Sequence, residues 1–209
     1  MALISAKFPM IYKRKESAGS VKFGAPKAVG KAIQLGDTPT VSRAVLYADD
    51  IEAESDGRVA SRALTLGTST IPTACAGDMF GITVTAADTS GSKPETVTYS
   101  DEADGEYLGL SIIRGEVVDG VKHFIVCFYP KVKFDQPAET YATKGETLTF
   151  ATHSIPGKAV ADPLMLDSKG RAVEKIEYIF NSAAAAAAYQ LTLGDLVTND
   201  SNTQEGANL

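Results

Sequence analysis

Few side chains in this sequence are equipped for chemistry. There are two histidines, His123 and His153, and two cysteines, Cys75 and Cys127. Hydrolytic or redox catalysis needs a nucleophile beside a base, or a cluster of metal ligands. Both histidines fall inside strand-like patterns, where an imidazole is ordinarily a packed or surface group. His123 and Cys127 are four residues apart. On a strand that spacing puts them on one face but about 13 Å apart, too far to share a metal. No Gly-x-Ser-x-Gly elbow, Walker loop or Gly-x-Gly-x-x-Gly turn is present. The acidic run Asp50-x-Glu52-x-Glu54-x-Asp56-Gly57 invites a calcium reading. A calcium loop needs oxygen ligands at alternate positions, Gly at the sixth and Glu at the twelfth. Started at Glu52, Gly57 is sixth but Ala63 is twelfth; started at Asp50, Ser55 and Ser61 take those places. The run reads as a solvated or interface loop.

Aromatic and basic residues alternate at Tyr129, Lys131, Lys133 and Phe134. Such a mixture can stack bases and hold a nucleic-acid backbone. In an acidic chain with period-two patterning it reads instead as a strand with a basic edge, which discourages unwanted pairing. With no catalytic pair, metal cluster or cofactor loop to name, the expectation is a non-enzymatic protein without cofactors. A small β-fold enzyme is the distant alternative.

The composition fits that expectation. The chain has 209 residues, 44% apolar and 22% charged, with no Trp and a net charge of −6. Those values are globular, and a chain this long can bury roughly 70% of its unfolded surface in one core. No apolar run reaches the roughly 18 residues of a membrane span. Lys7 and Lys13 to Lys15 interrupt any signal-peptide core. Two cysteines make no disulfide framework, so synthesis in a reducing cytosol is expected. The charge is uneven. Residues 1–31 hold seven basic side chains and one acidic, +6, which leaves thirteen basic and twenty-five acidic, −12, in the rest. Asp49, Asp50, Glu52, Glu54 and Asp56 form one acidic cluster, and Asp101, Glu102, Asp104 and Glu106 another. A dipolar molecule of this kind can stack head to tail.

The elements that must carry these residues are mostly strands. Residues 1–19 read as polar and irregular. Strands are expected at 21–23, 29–35, 58–66, 82–86, 96–99, 144–152 and 173–180. A long loop is expected from 36 to 57, partly extended at 41–47. A short helix is expected at 72–80, capped by Ser69 or Thr70 and ended at Gly81. The strongest signal is a hairpin of residues 107–118 and 121–134 around Asp119-Gly120, a pair suited to a type I′ turn. Its second arm is apolar on both faces, which calls for cover on both sides. Pro130 in that arm lacks an N–H and marks a bulge or a crossing between sheets. Pro156-Gly157 reads as the end of the core. Ala183 to Ala188 form a short helix, capped by Asn181 or Ser182, that must dock on the body or sit at an interface because six Ala alone are marginal. The last residues, from 199, read as a frayed tail. The result is a mainly β fold, an antiparallel two-sheet sandwich or open barrel with a flanking helix. Two units are expected: a core at 1–158 with a basic N-terminal arm, and a C-terminal extension at 159–209.

Four blocks in order resemble a known family: Leu46-Tyr47-Ala48-Asp49-Asp50 with Ala53-Glu54-Ser55; Leu64-Thr65-Leu66-Gly67 before the short helix; Glu106-Tyr107-Leu108-Gly109-Leu110; and Phe128-Tyr129-Pro130-Lys131-Val132-Lys133-Phe134 followed by Thr143-Lys144-Gly145-Glu146-Thr147-Leu148-Thr149-Phe150. The succession, over about residues 20–160, resembles the major tail proteins of long-tailed, non-contractile bacteriophages. Pro130 departs from the pattern, since the family commonly has an aromatic or aliphatic there.

The resemblance implies a β-sandwich subunit of hexameric rings that stack into a hollow tube through which double-stranded DNA passes without specific binding. It implies a place in the virion tail after assembly in the bacterial cytoplasm. The implied partners are further copies, the tape measure, the tail terminator and the distal tail protein, and no membrane. It implies no catalytic residues. Tyr47, Asp49, Asp50, Glu52, Glu54 and Asp56 are the expected inter-ring stacking loop. Lys13, Arg14, Lys15 and Lys22 are its expected basic partners. Phe124, Val126, Phe128, Lys131 and Lys133 are the expected inner-barrel or ring-interface strand. The alternatives are a tube subunit of a contractile tail or secretion machine, and a binding module of immunoglobulin type.

Overall fold

The Asp-Gly turn forms as its residue types require. Asp119 and Gly120 both have positive φ, 50° and 81°, the geometry that matches the twist of the flanking strands. The computed structural model describes residues 2–17, 19–48, 51–89, 91–139 and 152–195. In chain order the strands are β1 (Ala2–Ser17), β2 (Ser20–Phe23), β3 (Lys27–Ala28), β4 (Ala32–Ala48) and β5 (Ile51–Thr68). Then come helix α1 (Thr73–Phe80), β6 (Thr83–Thr85), β7 (Thr96–Thr98), β8 (Leu108–Val118), β9 (Val121–Phe134) and β10 (His153–Ala159). The chain continues with β11 (Asp162–Leu166), β12 (Ala172–Val173), β13 (Ile176–Phe180), helix α2 (Ala183–Thr192) and a 3-10 turn (Leu193–Asp195). The fold is mainly β and antiparallel, as the sequence pattern predicts.

One large sheet has the order β2-β1-β8-β9-β10-β5-β4, with β13 added on β9 and β3 on β1. Ile11 of β1 and Leu35 of β4 meet the same apolar cluster. In a flat sheet those strands would stand about 24 Å apart, five spacings of about 4.8 Å. The sheet therefore curls into an open barrel. Its concave side holds Leu64, Leu66, Leu108, Leu110, Ile112 and Ile155, plugged by Met79 and Phe80 of α1. The convex side carries Tyr12, Val21, Phe23, Ile113, Val126 and Phe128 beneath Ala186 of α2 and Leu193. Of the two places expected for the Ala-rich helix, it takes the one on the body. Gln190 Nε2 donates to Phe8 O and Ser111 Oγ, both 2.7 Å, while Tyr12 OH donates to Gln190 O at 2.7 Å.

Pro130 sits at a register shift. Leu108 pairs with Val132 and Leu110 with Tyr129, so β9 carries one residue more than β8 there. The extra residue keeps the core face constant: Ile125, Cys127 and Tyr129 are odd-numbered, Val132 and Phe134 even-numbered, yet all five reach the concave core.

Several expectations are corrected. The N-terminal segment is no irregular arm; β1 lies between β2 and β8 in the sheet. The expected loop at 36–57 is most of a long hairpin, β4 and β5, whose Asp, Glu and Ser content hides the extended pattern. Pro156-Gly157 does not end the core: it lies inside β10, between Ile155 and Ala159, both fully buried. The division after residue 158 separates no unit, because β13 pairs with central β9 and α2 covers the convex core. The position before Thr73 at the start of α1 is Pro72, not Ser69 or Thr70. The expected strand at 144–152 lies outside the described residues up to 151.

Candidate assembly surface

The longest unsupported feature is the β4–β5 hairpin. Its root is part of the sheet, since β5 pairs with β10 from Thr68 to Arg62. Beyond Arg62, among the described residues, the two strands pair only with each other, down to Ala48 opposite Ile51. Two register shifts, after Thr40 and after Leu46, break the flat edge. The concave face of the sheet continues onto this ribbon: Leu35 opposite Leu66 is followed along β4 by Asp37, Pro39 and Val41. Val41 and its partner Val59 are exposed at 51% and 38%. A two-stranded ribbon is marginal in water by itself. Of the expected stacking-loop residues, the ladder places Tyr47 opposite Glu52, Glu54 opposite Leu46 and Asp56 opposite Ala44 at the distal end. Asp49 and Asp50 lie outside the described residues.

The ribbon leaves the body at a fork. β9 pairs with β13 through Phe124 to Phe128, then with β10 through Val132 to Phe134, on the same edge. Among the described residues no ladder joins β13 to β5, so the sheet divides there. Half-buried charges fill the notch. Arg62 donates to Asp37 at 3.1 Å and to Glu174 at 2.8 Å. Lys175 reaches Asp37 at 3.0 Å and Glu177 at 2.8 Å, and Tyr129 OH donates to Asp37 at 2.8 Å. Burial raises the Asp37 carboxyl, but hydrogen bonds from Lys175, Tyr129 and Arg62 outweigh it and hold the carboxyl below its usual value. Burial also pushes the Tyr129 phenol far up and the Cys127 thiol to about 11. At neutral pH Cys127 is therefore a thiol, not a nucleophilic thiolate. The notch is a set of fixed charges that ties the hairpin root to the segment before β13.

The basic residues divide into two pairs. Lys13 is bound to Asp78 at 2.7 Å. Arg14 is buried, held by Asp162 at 2.7 and 2.9 Å and by Glu16. Arg14 is therefore closed to a second subunit, which corrects its expected role, whereas Lys13 is half-exposed but already paired. Lys15 and Lys22 are exposed and directly opposite one another across β1 and β2. Neither has an ion pair among the described residues.

The β9 residues are corrected in a similar way. Val126 and Phe128 are fully buried, and Phe128 meets Tyr12 and Phe23 edge-on at 5.7 and 5.2 Å. Phe124 packs at the margin of the same cluster. The cover that this doubly apolar strand needs comes from the chain itself, not from another subunit. Lys131 lies 4.7 Å over the Tyr107 ring, and Lys133 pairs with Asp104 at 2.6 Å. These two remain at the surface.

The histidines are apart. His123 Nδ1 is 3.1 Å from Asn181 Oδ1. His153 lines a cleft of about 440 Å³ with Ile71, Thr73, Phe80 and Tyr99. Among the described residues no group of three or more His, Cys, Asp or Glu could hold a metal ion. No helix among them is long and apolar enough to cross a membrane. No protein-family model matches the sequence, and no curated protein matches it either.

Sequence reasoning missed the notch entirely. Asp37, Arg62, Tyr129 and Lys175 are scattered along the chain, and only the partner change along β9 brings them together. Pro130, read as a crossing, was the one local signal of that change.

Proposed function

We propose that this chain is a structural subunit that assembles with copies of itself into stacked rings, forming the hollow tail tube of a long-tailed, non-contractile bacteriophage. The observation that carries the reading is the projecting ribbon. Among the described residues no third strand pairs with it beyond Arg62, and its exposed Val41 and Val59 continue the core face of the sheet. A feature so built is stabilised by docking on another molecule. In the family that the sequence resembles, a comparable long inter-strand loop bridges successive rings. The uneven charge supports the same reading, because a dipolar subunit favours head-to-tail contacts. In such a tube the subunit conducts DNA to the host cell, and its partners are further copies and the proteins that measure and close the tail.

Negative-stain microscopy and sedimentation of the purified full chain test this. Rings or tubes about one subunit thick in the wall are expected at high protein concentration. A monomer at every concentration, in low and high salt, overturns the proposal. A variant lacking residues 44–56 should stay monomeric while keeping the melting behaviour of the parent.

A further inference from the structure

We infer that the Lys15–Lys22 pair is the receptor for the acidic end of the β4–β5 hairpin of a second copy. The inference rests on the self-assembly reading above and adds to it the residues that meet.

The first observation is the pair itself. Lys15 and Lys22 are register partners on adjacent antiparallel strands. Like charges directly opposite one another destabilise a ladder. Among the described residues neither lysine has an ion pair, and of the acids nearby in sequence or on β1, Asp78 is bound by Lys13 and Lys27 and Glu16 by Arg14. β2 pairs only with β1 among the described residues, at the end of the sheet order, and both lysines are exposed. An arrangement that is unfavourable alone becomes favourable when carboxylates from outside complete it.

The second observation is where the complementary charge lies. Glu52, Glu54 and Asp56 belong to the distal half of the hairpin. One level of the sheet is set by the pairs Lys13–Leu108, Leu108–Val132, Val132–Ala159 and Ala159–Arg62. Lys15 lies two residues beyond that level on one side. From Arg62 the hairpin runs eleven residues the other way, to Ile51. At about 3.3 Å per residue the two ends are on the order of 40 Å apart along the strands. One molecule cannot bring them together, whereas a second copy displaced along the strand direction can. The contact is heterologous, tip on margin, and repeats without closing on itself.

Charge exchange between two variants tests it. K15E/K22E keeps a like-charged cross-strand pair, so its fold bears the same burden as the parent. E52K/E54K/D56K reverses the hairpin. In each variant the docking charges become alike, and the sedimenting fraction should fall about tenfold or more at low salt. Thermal melting of each should match the parent, which separates lost docking from lost folding. Mixed in equal amounts, each hairpin finds a receptor of opposite sign, and assembly should return. If either variant alone assembles like the parent, or the mixture stays dispersed, the assignment of Lys15 and Lys22 is wrong while self-assembly stands. If the parent itself never assembles, both fall together.

Discussion

Strands β4 and β5 are one hairpin with two halves in different circumstances. At its root Leu35, Leu64 and Leu66 join a core cluster, a third strand pairs along β5, and the strands are held by Asp37, Arg62 and Lys175. Past Arg62 the same backbone pairing continues, with no third strand and no opposing layer among the described residues. Hydrogen-bonded ladders are thus common to both halves, and burial is what separates them. β9 is the opposite extreme, with one face against Leu110 and Ile112 and the other under Phe23 and α2. Stability should therefore reside in the body and association in the ribbon, and substitutions should sort accordingly.

The largest effect is expected where both faces are closed. Phe128→Ala removes a fully buried ring that touches Tyr12 and Phe23. It should cost about 3–5 kcal/mol, read as a shift of the urea midpoint. Asp162→Ala should be of similar size, about 3–5 kcal/mol, because it leaves the buried Arg14 guanidinium without its main partner. A midpoint change below about 1 kcal/mol in either would mean that the convex layer contributes little, and the contrast between body and ribbon would collapse.

How much of this contrast was legible beforehand depends on which signal each element carries. The Asp119-Gly120 hairpin was readable because turn chemistry and apolar arms agree. The docking of the Ala helix was readable because an isolated Ala helix is too short to stand alone. The long hairpin was not, since Asp, Glu and Ser are depleted from strands on average and lowered the reading to a loop. β1 was hidden for a related reason: Lys13 to Lys15 and Glu16 looked like a solvated arm, but Arg14 is neutralised inside by Asp162. The apolar character of Val126 and Phe128 and the need for cover on both faces were legible, but not whether that cover was another layer of the chain or another subunit. Nothing in a local pattern says whether cover comes from residue 186 of the same chain or from a neighbour.

A smaller effect is expected at the fork, where the two halves of the hairpin meet. Asp37→Asn removes the charge that accepts from Arg62, Lys175 and Tyr129. Hydrogen bonds to a charged group are worth about 1.5–3 kcal/mol each when buried, and less in this half-exposed notch, so about 1–2 kcal/mol is expected. The Asp37, Asp78 and Glu177 carboxyls are all held below their usual values; burial opposes this in each, and hydrogen bonds from basic partners outweigh it. Their contribution is full above the ordinary carboxyl range and is lost as pH falls through the lowered values. The urea midpoint should be flat above about pH 5 and drop below about pH 4, with a shallower drop in Asp37→Asn. A midpoint rising on acidification would contradict the sign.

The smallest effect on stability should come with the largest effect on association. Val41→Thr with Val59→Thr keeps two β-branched residues in place, so the ribbon ladder loses little and the melt should move by less than about 0.5 kcal/mol. If the exposed pair is the apolar part of a docking face, replacing two methyl groups with hydroxyls weakens every contact in a stacked assembly. The critical concentration for sedimentation should then rise several-fold, at low and high salt alike, because the term removed is apolar and not screened. The charge-reversed hairpin should differ in kind: its defect should shrink as salt rises. Two variants on one ribbon, separable by salt, would assign the apolar stem and the acidic end to distinct parts of one contact. Equal salt responses would mean that the ribbon docks by charge alone and that Val41 and Val59 merely continue the pleat of the core face into solvent.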